Sequence, residues 1–335
     1  MSAGDAGRNP GDLLDGYQDT ALLYAAAKLG LADLLAEGTK TSEELASTVG
    51  AHAPSLHRML RGLVIVGLCF EAEERFGLTA LGRMLRTGVE GSLKDRALVC
   101  GEQYMAAWRD LVHSVMTGET AFAHVFGADA WKHRQQNSAL GGRFNAELNT
   151  ETARAAAAIV NAYDFSASRV LCDVGGGYGA LLCAILAACP AMRGMLLEQP
   201  HVAIGARSYV ESQDLGERCR VVEGDFFEGV PEGADTYVMK SVVHDWPDAR
   251  ATGILGNCRK ALRAGGRLIL IERLMPARAN DAPDTVRVDL HMLAVTGGRE
   301  RSEAEYRQLL ETAGFSLRSI VASRSPFCVI EGVPR

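Results

Sequence analysis

The sequence predicts an α/β fold in which a mostly parallel sheet, covered by helices on both faces, follows a mainly helical N-terminal domain. Three observations predict this architecture. Apolar, strand-like runs alternate with helix-length segments from residue 169 onward. The first of these runs leads into four glycines within five positions, which indicates a tight turn between a strand and a helix. Over the first 90 residues, apolar side chains instead recur at helical spacing.

The predicted sheet takes its strands from the second half of the chain. Between them lie helix-length segments, which is typical of parallel pairing. The last two apolar runs have no helix between them, so they predict an antiparallel hairpin at one edge. The predicted strands cover residues 169–174, 194–198, 220–223, 234–240, 266–272, 316–322 and 327–331.

Composition and charge describe an ordinary globular chain. Its 335 residues suffice for two domains, and 47% hydrophobic with 23% charged residues is a normal balance. The net charge of −6 indicates neither nucleic acid nor an anionic membrane as a partner. No stretch approaches the ~20 apolar residues of a membrane span. The first five residues lack the basic and apolar regions of a secretory signal, so we expect a cytoplasmic protein.

The eight cysteines are scattered, and no two have the Cys-x-x-Cys spacing. Cys172, Cys183 and Cys328 lie within apolar runs, where a thiol acts as a small hydrophobic group. We therefore expect reduced, buried cysteines rather than disulfides or zinc ligands.

The N-terminal region predicts three helices and a short hairpin. Apolar spacing predicts a helix over residues 18–35. Thr41, with Glu44 three residues later, forms a capping box that opens a second helix. A third helix is predicted over residues 55–66 and a hairpin over residues 67–78. This order is that of a winged helix-turn-helix.

A winged helix-turn-helix can bind DNA, but the charge of this one argues against it. Residues 1–90 contain 12 acidic and 8 basic side chains. The third helix offers only His57, Arg58 and Arg61 to phosphates, whose contacts dominate DNA affinity. Its apolar residues fit a surface buried against a second subunit better. We expect no nucleic-acid partner.

The glycine-rich turn formally matches a dinucleotide fingerprint. Gly175, Gly177 and Ala180 have the required spacing, and Glu198 follows about 20 residues on. An NAD-dependent dehydrogenase is therefore an alternative interpretation, and residues outside the turn are needed to distinguish it.

Three features favour S-adenosylmethionine (SAM) over NAD. Asp173 ends the strand before the turn, where its carboxylate would repel a pyrophosphate and attract an ammonium group. Asp225 and Phe226, at a later strand end, suit the amino group and ring of adenine. No separate substrate domain follows the turn. We assign the glycines with Asp173 to the amino-acid end of SAM and Glu198 to its ribose hydroxyls.

Several motifs in register resemble one family, the small-molecule O-methyltransferases of the plant caffeate and bacterial secondary-metabolite type. The motifs are residues 173–179, 224–227, 244–248 and 297–301. The resemblance covers nearly the whole chain. It implies a Rossmann-like class I methyltransferase sheet with an antiparallel edge hairpin, preceded by a winged-helix dimerisation domain. It also implies a homodimer, SAM as methyl donor with S-adenosylhomocysteine as product, and no metal.

The resemblance divides the chain into three regions. Residues 1–95 form the winged-helix-like dimerisation domain, residues 96–160 a helical linker or substrate lid, and residues 161–335 the SAM-binding catalytic domain. The acceptor it implies is a hydroxyl of a small aromatic, phenolic or polyketide-like compound.

The resemblance assigns His244 as the general base of methyl transfer. A free phenol has a pKa of about 10, so a base within hydrogen-bond reach assists its attack. The same resemblance places Glu300 and Glu331 beside His244, where carboxylates strengthen the base, and gives Asp245 a positioning role.

Further site residues follow from the same resemblance. Lys240 and Gln199 are expected to contact SAM, and Leu148 stands where the family often has Met. The residues expected to line the acceptor pocket are Phe144, Asn145, Leu148, His291 and Met292.

Two functional alternatives remain open besides the dehydrogenase. Relatives of this family have been recruited to decarboxylation, hydroxylation or pericyclic chemistry, which would keep SAM and drop the transfer. A ligand-responsive DNA-binding regulator would use the winged helix instead. The sequence leaves the acceptor, the position methylated and the pathway undetermined.

Overall fold

The computed structural model describes residues 9–335, and the chain divides into two compact units. The first unit ends at Met105 and the second is Ala106–Arg335. This division falls within the region predicted as a linker or lid. The first five residues, on which the expectation about a signal rests, lie outside the described residues.

The first unit contains helices and one two-stranded hairpin. The helices are α1 (Pro10–Lys28), α2 (Leu31–Leu34), α3 (Ser42–Val49), α4 (Ala53–Ile65) and α5 (Lys94–Val99). The strands are β1 (Cys69–Ala72) and β2 (Arg75–Leu78), followed by a 3₁₀ turn (Gly82–Leu85). A π-helical turn (Cys100–Tyr104) follows α5. The predicted winged-helix order is confirmed.

Local signals explain most of these boundaries. Thr41 Oγ1 accepts from the Glu44 N–H while the Glu44 side chain accepts from the Thr41 N–H, so the predicted capping box forms. The single helix predicted over residues 18–35 is wrong in extent. It begins at Pro10, capped by the Asn9 side chain, and Gly30 in the left-handed conformation separates α1 from α2.

The second unit carries the remaining helices. They are α6 (Met105–Arg109, which begins at the last residue of the first unit), α7 (Leu111–Thr117), α8 (Ala121–Phe126), α9 (Ala130–Gln136), α10 (Ser138–Ala162), α11 (Ala180–Ala188), α12 (Pro200–Ser212), α13 (Asp248–Ala261), α14 (Pro283–Val295) and α15 (Glu303–Thr312). Among the described residues, no helix is long and apolar enough to span a bilayer.

A seven-stranded sheet forms the centre of the second unit. Its strands are β3 (Val170–Val174), β4 (Arg193–Glu198), β5 (Cys219–Glu223), β6 (Thr236–Lys240), β7 (Arg267–Glu272), β8 (Phe315–Ala322) and β9 (Cys328–Pro334). They lie in the order β5-β4-β3-β6-β7-β9-β8. The first five strands in this order pair in parallel. Strand β9 pairs antiparallel with both β7 and β8. The predicted Rossmann-like sheet with an antiparallel edge hairpin is confirmed.

The central strands are apolar on both faces because helices cover both sides of the sheet. On β7, Leu268 and Leu270 belong to the core shared with α13 and α15, whereas Ile269 and Ile271 belong to the core shared with α11 and α12. The chain reverses its winding direction between β3 and β6, and in such sheets this point opens a crevice at the carboxyl ends of the strands.

Candidate active site

A cavity of about 450 Å³ lies at these carboxyl ends. Four strand ends contribute to its wall: the glycine turn after β3, Glu198 and Gln199 after β4, Asp225 and Phe226 after β5, and the segment after β6. Residues of α9 and α10 line another side, and α11, α12, α13 and the segment after α14 contribute the rest. The residues predicted to bind the donor and some of those predicted to bind the acceptor therefore line the same cavity.

The glycine turn has a conformation that side chains would not tolerate. Gly175, Gly177 and Gly179 have positive φ of 70°, 62° and 94°. A Cβ atom on Gly176 would lie 2.4 Å from the Asp173 carboxylate. The Gly177 N–H donates to Glu198 Oε1 at 2.7 Å. The turn thus holds the carboxylates of β3 and β4 close to its backbone.

Asp173 is the cavity residue whose surroundings best fit a cationic ligand. It is only 1% exposed, and among residues 9–335 neither of its carboxylate oxygens has a hydrogen-bond partner. Burial raises its pKa to about 7, and the like charge of Glu198 adds to the effect while Lys240 opposes it. An ammonium group fits this carboxylate, because it supplies both the opposite charge and the hydrogen bonds that burial removes.

Glu198 faces the cavity from the next strand. Its two carboxylate oxygens accept from the N–H groups of Gly177 (2.7 Å) and Gln199 (3.0 Å). Burial raises its pKa to about 7, and these two amides act in the opposite direction. Each oxygen retains lone pairs that can accept from a hydroxyl.

The β5 end presents an acid beside an aromatic ring, as predicted. Asp225 Oδ1 accepts from the Phe227 N–H at 2.8 Å, and the Phe226 ring packs against Gly175. Asn257 on α13 donates to the carbonyls of both phenylalanines at 2.9 and 3.0 Å, which fixes the loop. The sequence analysis did not identify Asn257, because a polar residue on a predicted helix gave no signal.

Lys240, at the end of β6, lines the cavity. Its ammonium lies 4.3 Å above the Phe327 ring and 3.3 Å from Ser241 Oγ. Burial lowers its pKa, whereas the charges of Glu151 and Glu272 act to raise it.

His244 lies among three carboxylates just beyond β6. Its Nδ1 is 2.7 Å from Glu300 Oε1 and 3.9 Å from Glu272 Oε2, and its Nε2 is 3.8 Å from Asp245 Oδ1. All four side chains, the His244 cluster (His244, Asp245, Glu272, Glu300), are buried. Asp245 lines the cavity, and His244, next to it, is not among the described lining residues.

Burial and charge act in opposite directions on this cluster. Burial alone lowers the pKa of His244, but Asp245, Glu272 and Glu300 together raise it to about 10. Burial raises the pKa of Glu272 to about 7 and that of Asp245 to about 6, against the pull of the imidazolium. The three carboxylates therefore favour the protonated form of His244, and the neutral form that can act as a base becomes more populated as the pH rises.

Glu272 also builds the turn that carries His244. Its Oε1 accepts from the N–H groups of Val242 and Val243 at 3.2 and 3.0 Å. The sequence analysis placed Glu272 only as the last residue of a strand. One signal was available: Glu272 is an acid at the carboxyl end of β7, and β7 pairs with β6, the strand that precedes His244.

Two further residues support the His244 turn. Arg301, fully buried, donates to the carbonyls of Val243 (3.0 Å) and Trp246 (2.8 Å) and pairs with Asp248. A Cβ on Gly298 would lie 1.9 Å from the His244 carbonyl oxygen, so only glycine fits there. Both belong to the motif at residues 297–301.

The prediction that Glu331 lies beside His244 is wrong. Glu331 is on β9 opposite Ile269 of β7, three residues and about 10 Å along the strand from Glu272. Its carboxylate accepts from Ser319 at 3.2 Å and Arg318 at 3.3 Å. Because β9 is antiparallel, the chain approaching its C-terminus runs toward the amino ends of the parallel strands, away from the site.

The expected acceptor residues separate into two groups. Phe144, Asn145 and Leu148 on α10 line the cavity. His291 and Met292 on α14 are not among the described lining residues. His291 Nδ1 accepts from Trp108 Nε1 at 3.0 Å, and Met292 is buried, so packing accounts for both.

Ligand atoms of His244, Glu272 and Glu300 lie within 4.8 Å of one another, a spacing that a metal ion could bridge. A hydrogen-bonded imidazolium occupies the same spacing. Asp110, His113 and His124 form a second such group. There the two imidazoles stack with centroids 4.0 Å apart, so their in-plane lone pairs do not converge on one ion.

Comparisons with known proteins identify the family. The family model of the O-methyltransferase domain matches residues 108–316, and that of the O-methyltransferase dimerisation domain matches residues 12–88. The chain is 40% identical to the phenazine O-methyltransferase of Lysobacter antibioticus, across 96% of this chain and 94% of that protein. It is 38% identical to 3-amino-4-hydroxybenzoate 4-O-methyltransferase of Streptomyces cremeus, across 94% and 87%.

Other similar proteins include an N-methyltransferase and a structure solved with SAM. The phenazine-1-carboxylate N-methyltransferase of Pseudomonas aeruginosa is 35% identical across 94% of each chain. An O-methyltransferase from neocarzinostatin biosynthesis, solved with SAM and 2-hydroxy-5-methyl naphthoic acid, superposes with a TM-score of 0.86 at 32% identity, covering 98% of this chain and 100% of that one. The chain therefore belongs to the O-methyltransferase family, with its dimerisation domain, and is a SAM-dependent methyltransferase of small secondary metabolites.

Proposed function

We propose that this enzyme methylates a hydroxyl of a small aromatic, phenolic or polyketide-like metabolite, with His244 as the general base. The observation that carries the proposal is the 2.7 Å contact between His244 Nδ1 and Glu300, buried beside the cavity. A carboxylate that holds Nδ1–H leaves Nε2 as the proton acceptor. Nε2 is the nitrogen on the side of Asp245, which lines the cavity.

A hydroxyl acceptor needs such a base, whereas a neutral amine does not. When bound, SAM supplies an electrophilic methyl group on a sulfonium sulfur. A neutral phenol, with a pKa of about 10, is a poor nucleophile until its proton is removed. A neutral amine attacks with a lone pair that it already has. The carboxylates around His244 raise its pKa, so its neutral imidazole is a stronger acceptor for the phenol proton.

We assign the donor residues from the charges and backbone of the cavity. Asp173, the buried carboxylate without a partner among the described residues, would bind the amino group of SAM. Gly175 and Gly177 would let the donor approach the turn closely. The remaining donor contacts would be Glu198 to the ribose hydroxyls, Asp225 and Phe226 to adenine, and Gln199 and Lys240 along the same wall.

We assign the acceptor to the aromatic part of the same cavity. Phe144 and Leu148 line it, and Trp131 lies 5.9 Å from Phe144 and 5.8 Å from Trp246 between ring centroids. These flat apolar surfaces suit an aromatic ring. The cavity volume of about 450 Å³, shared by donor and acceptor, suits a small one.

A homodimer is part of this proposal. The first unit carries the family's dimerisation domain. Large apolar side chains of that unit are solvent-exposed in the single chain, among them Ile65 at 87% and Leu14 at 76%. Such exposure is typical of a surface that a second subunit covers.

The test is the His244→Ala protein, assayed with a panel of hydroxylated aromatics and matched aromatic amines. We expect SAM binding by calorimetry to be retained and hydroxyl methylation to fall by about 10²–10⁴-fold. The matched control is His52→Ala, since His52 is exposed and lies in the first unit. Normal turnover by His244→Ala, or methylation of nitrogen alone by the unaltered enzyme, would overturn the proposal. S-adenosylhomocysteine release with any acceptor separates methyl transfer from a non-methylating role.

A further inference from the structure

We infer that the acceptor is an aryl carboxylate and that Arg134 binds its carboxylate group. The inference deepens the proposed function and rests on its acceptor pocket, though not on which atom is methylated. It would make Arg134 a specificity-determining residue.

Arg134 is a cationic side chain buried in the wall of the cavity. It lies on α9, lines the cavity and is only 3% exposed. Its guanidinium carbon lies 3.6 Å from the centroid of the Phe144 ring and 5.4 Å from that of Trp131. Removing a guanidinium from water is costly unless other groups compensate for its hydration. Ring faces and contacts within the protein contribute to this, and a bound anion would add to it.

The backbone holds Arg134 in place. The Asp129 side chain caps α9 by accepting from the N–H groups of Trp131 and Lys132 at 3.0 and 2.9 Å. At the start of α10, a Cβ on Gly141 would lie 2.8 Å from the Arg134 carbonyl oxygen, so glycine permits the close approach of the two helices. The guanidinium is therefore positioned before any acceptor binds, which reduces the conformational entropy lost on binding.

Three carboxylates lie in the part of the cavity where the donor is assigned, with Lys240 on the same wall. They are Asp173 in β3, Glu198 at the end of β4 and Asp225 just after β5. On the acceptor side, Arg134 is close enough to Asp245 to lower the pKa that burial raises there. Trp131 and Trp246, a stacked pair, line the same cavity. An aromatic ring in this space would meet the base cluster on the Asp245 side and a cation on the α9 side.

The shape of the contact favours a carboxylate in particular. A guanidinium stacked on a ring directs its N–H groups along the plane of that ring. A carboxylate conjugated with a neighbouring aromatic ring is planar too, so it can accept two of these N–H groups at once. With five N–H donors, arginine can bind this group in addition to contacts within the protein. We therefore expect the carboxylate on the far side of the acceptor from the methylated atom.

The experiment measures binding rather than turnover, with S-adenosylhomocysteine present. The probes are 4-hydroxybenzoate, 6-hydroxy-2-naphthoate and a hydroxyphenazine carboxylate, each paired with its uncharged carboxamide. We expect the unaltered enzyme to bind at least one carboxylate at least tenfold more tightly than its amide. Arg134→Met should weaken carboxylate binding by about 10–100-fold and bring the two affinities together. Arg134→Lys keeps the positive charge but lacks the paired N–H donors of the guanidinium, so its carboxylate affinity should lie between those of the unaltered enzyme and Arg134→Met.

The matched control is Lys132→Met, which removes an exposed positive charge from the same helix. It should keep the carboxylate preference of the unaltered enzyme. S-adenosylhomocysteine affinity shows that each variant is folded. Should Arg134→Met fail to bind it, Arg134→Lys and the preference of the unaltered enzyme decide the question.

Two results would overturn the inference. One is an unaltered enzyme that prefers none of the three carboxylates over its amide. The other is an Arg134 variant whose affinities for carboxylate and amide fall by the same factor. That result would mean that Arg134 only supports the cavity wall or the charge of Asp245. The outcome is separable from that of the proposed function, because methylation of nitrogen would refute the hydroxyl proposal and leave the measured preference intact.

Discussion

Replacing Glu300 with glutamine should lower the pKa of His244 by about 1–2 units. The two groups are buried and 2.7 Å apart, so the change removes one charge-assisted hydrogen bond of about 1.5–3 kcal/mol. One pKa unit corresponds to 1.36 kcal/mol. The direction follows from the charge: the carboxylate stabilises the imidazolium, so its loss lets the proton leave at lower pH. Glutamine keeps an acceptor oxygen and so preserves the ring orientation.

The pH dependence of kcat/KM reports this change. In the unaltered enzyme the three carboxylates raise the pKa of His244 to about 10, so activity should rise with pH from neutral toward that value. In Glu300→Gln the rise should come about 1–2 pH units earlier, to a lower plateau because the base is weaker. S-adenosylhomocysteine release measures the rate, and using two acceptors of different hydroxyl pKa separates acceptor ionisation from that of His244.

The control is Glu331→Gln, a buried glutamate of the same sheet that lies outside the His244 cluster. Its midpoint should match that of the unaltered enzyme. A midpoint in Glu300→Gln that is unchanged, or that moves to higher pH, would refute the electrostatic reasoning and with it the assignment of His244 as the base.

Two further predictions concern the cavity walls. Asp173→Asn should weaken SAM binding by about 10–100-fold in calorimetry, because a neutral amide replaces the carboxylate facing the ammonium. The ligand-free variant should also melt above the unaltered protein at pH 8 but not at pH 4, since burial raises the pKa of Asp173 to about 7 and its ionised form is unfavourable when folded; equal melting at both pH values would contradict this. Gly298→Ala should lose about 1–3 kcal/mol of unfolding free energy in urea, and turnover with it, because its Cβ would lie 1.9 Å from the His244 carbonyl oxygen. In the control Gly253→Ala, on an exposed part of α13 with no atom within 4 Å, stability should rise by about 0.5–1 kcal/mol, and equal losses in the two variants would contradict the steric reasoning.

Much of the donor side was predictable because its signals are local in sequence. A strand, a glycine turn and a helix are consecutive, and Asp173, Glu198 and Asp225 each sit at the carboxyl end of a parallel strand. Parallel strands bring those ends to one edge, so finding the strands is enough to bring the acids together. The cavity lining bears this out for all three.

The acid–base site was less predictable because it depends on strand order and direction. Glu272 and Glu331 each end an apolar strand in the prediction from sequence, and a periodic pattern does not distinguish a parallel strand from an antiparallel one. In the sheet, β7 is parallel to β6 and brings Glu272 to His244, whereas antiparallel β9 carries Glu331 away. Nor did a buried Arg134 on α9 have any sequence signal beyond a lone arginine.

By itself, then, the sequence determined the class of sheet, the winged-helix order of the first unit and SAM as the donor, since each depends on short-range patterns of apolar residues, glycines and acids. Only the tertiary structure decided which glutamates surround His244 and that Arg134 lines the cavity. These contacts join residues far apart in the chain, and their geometry follows from how strands and helices pack rather than from the spacing of residues along any one of them.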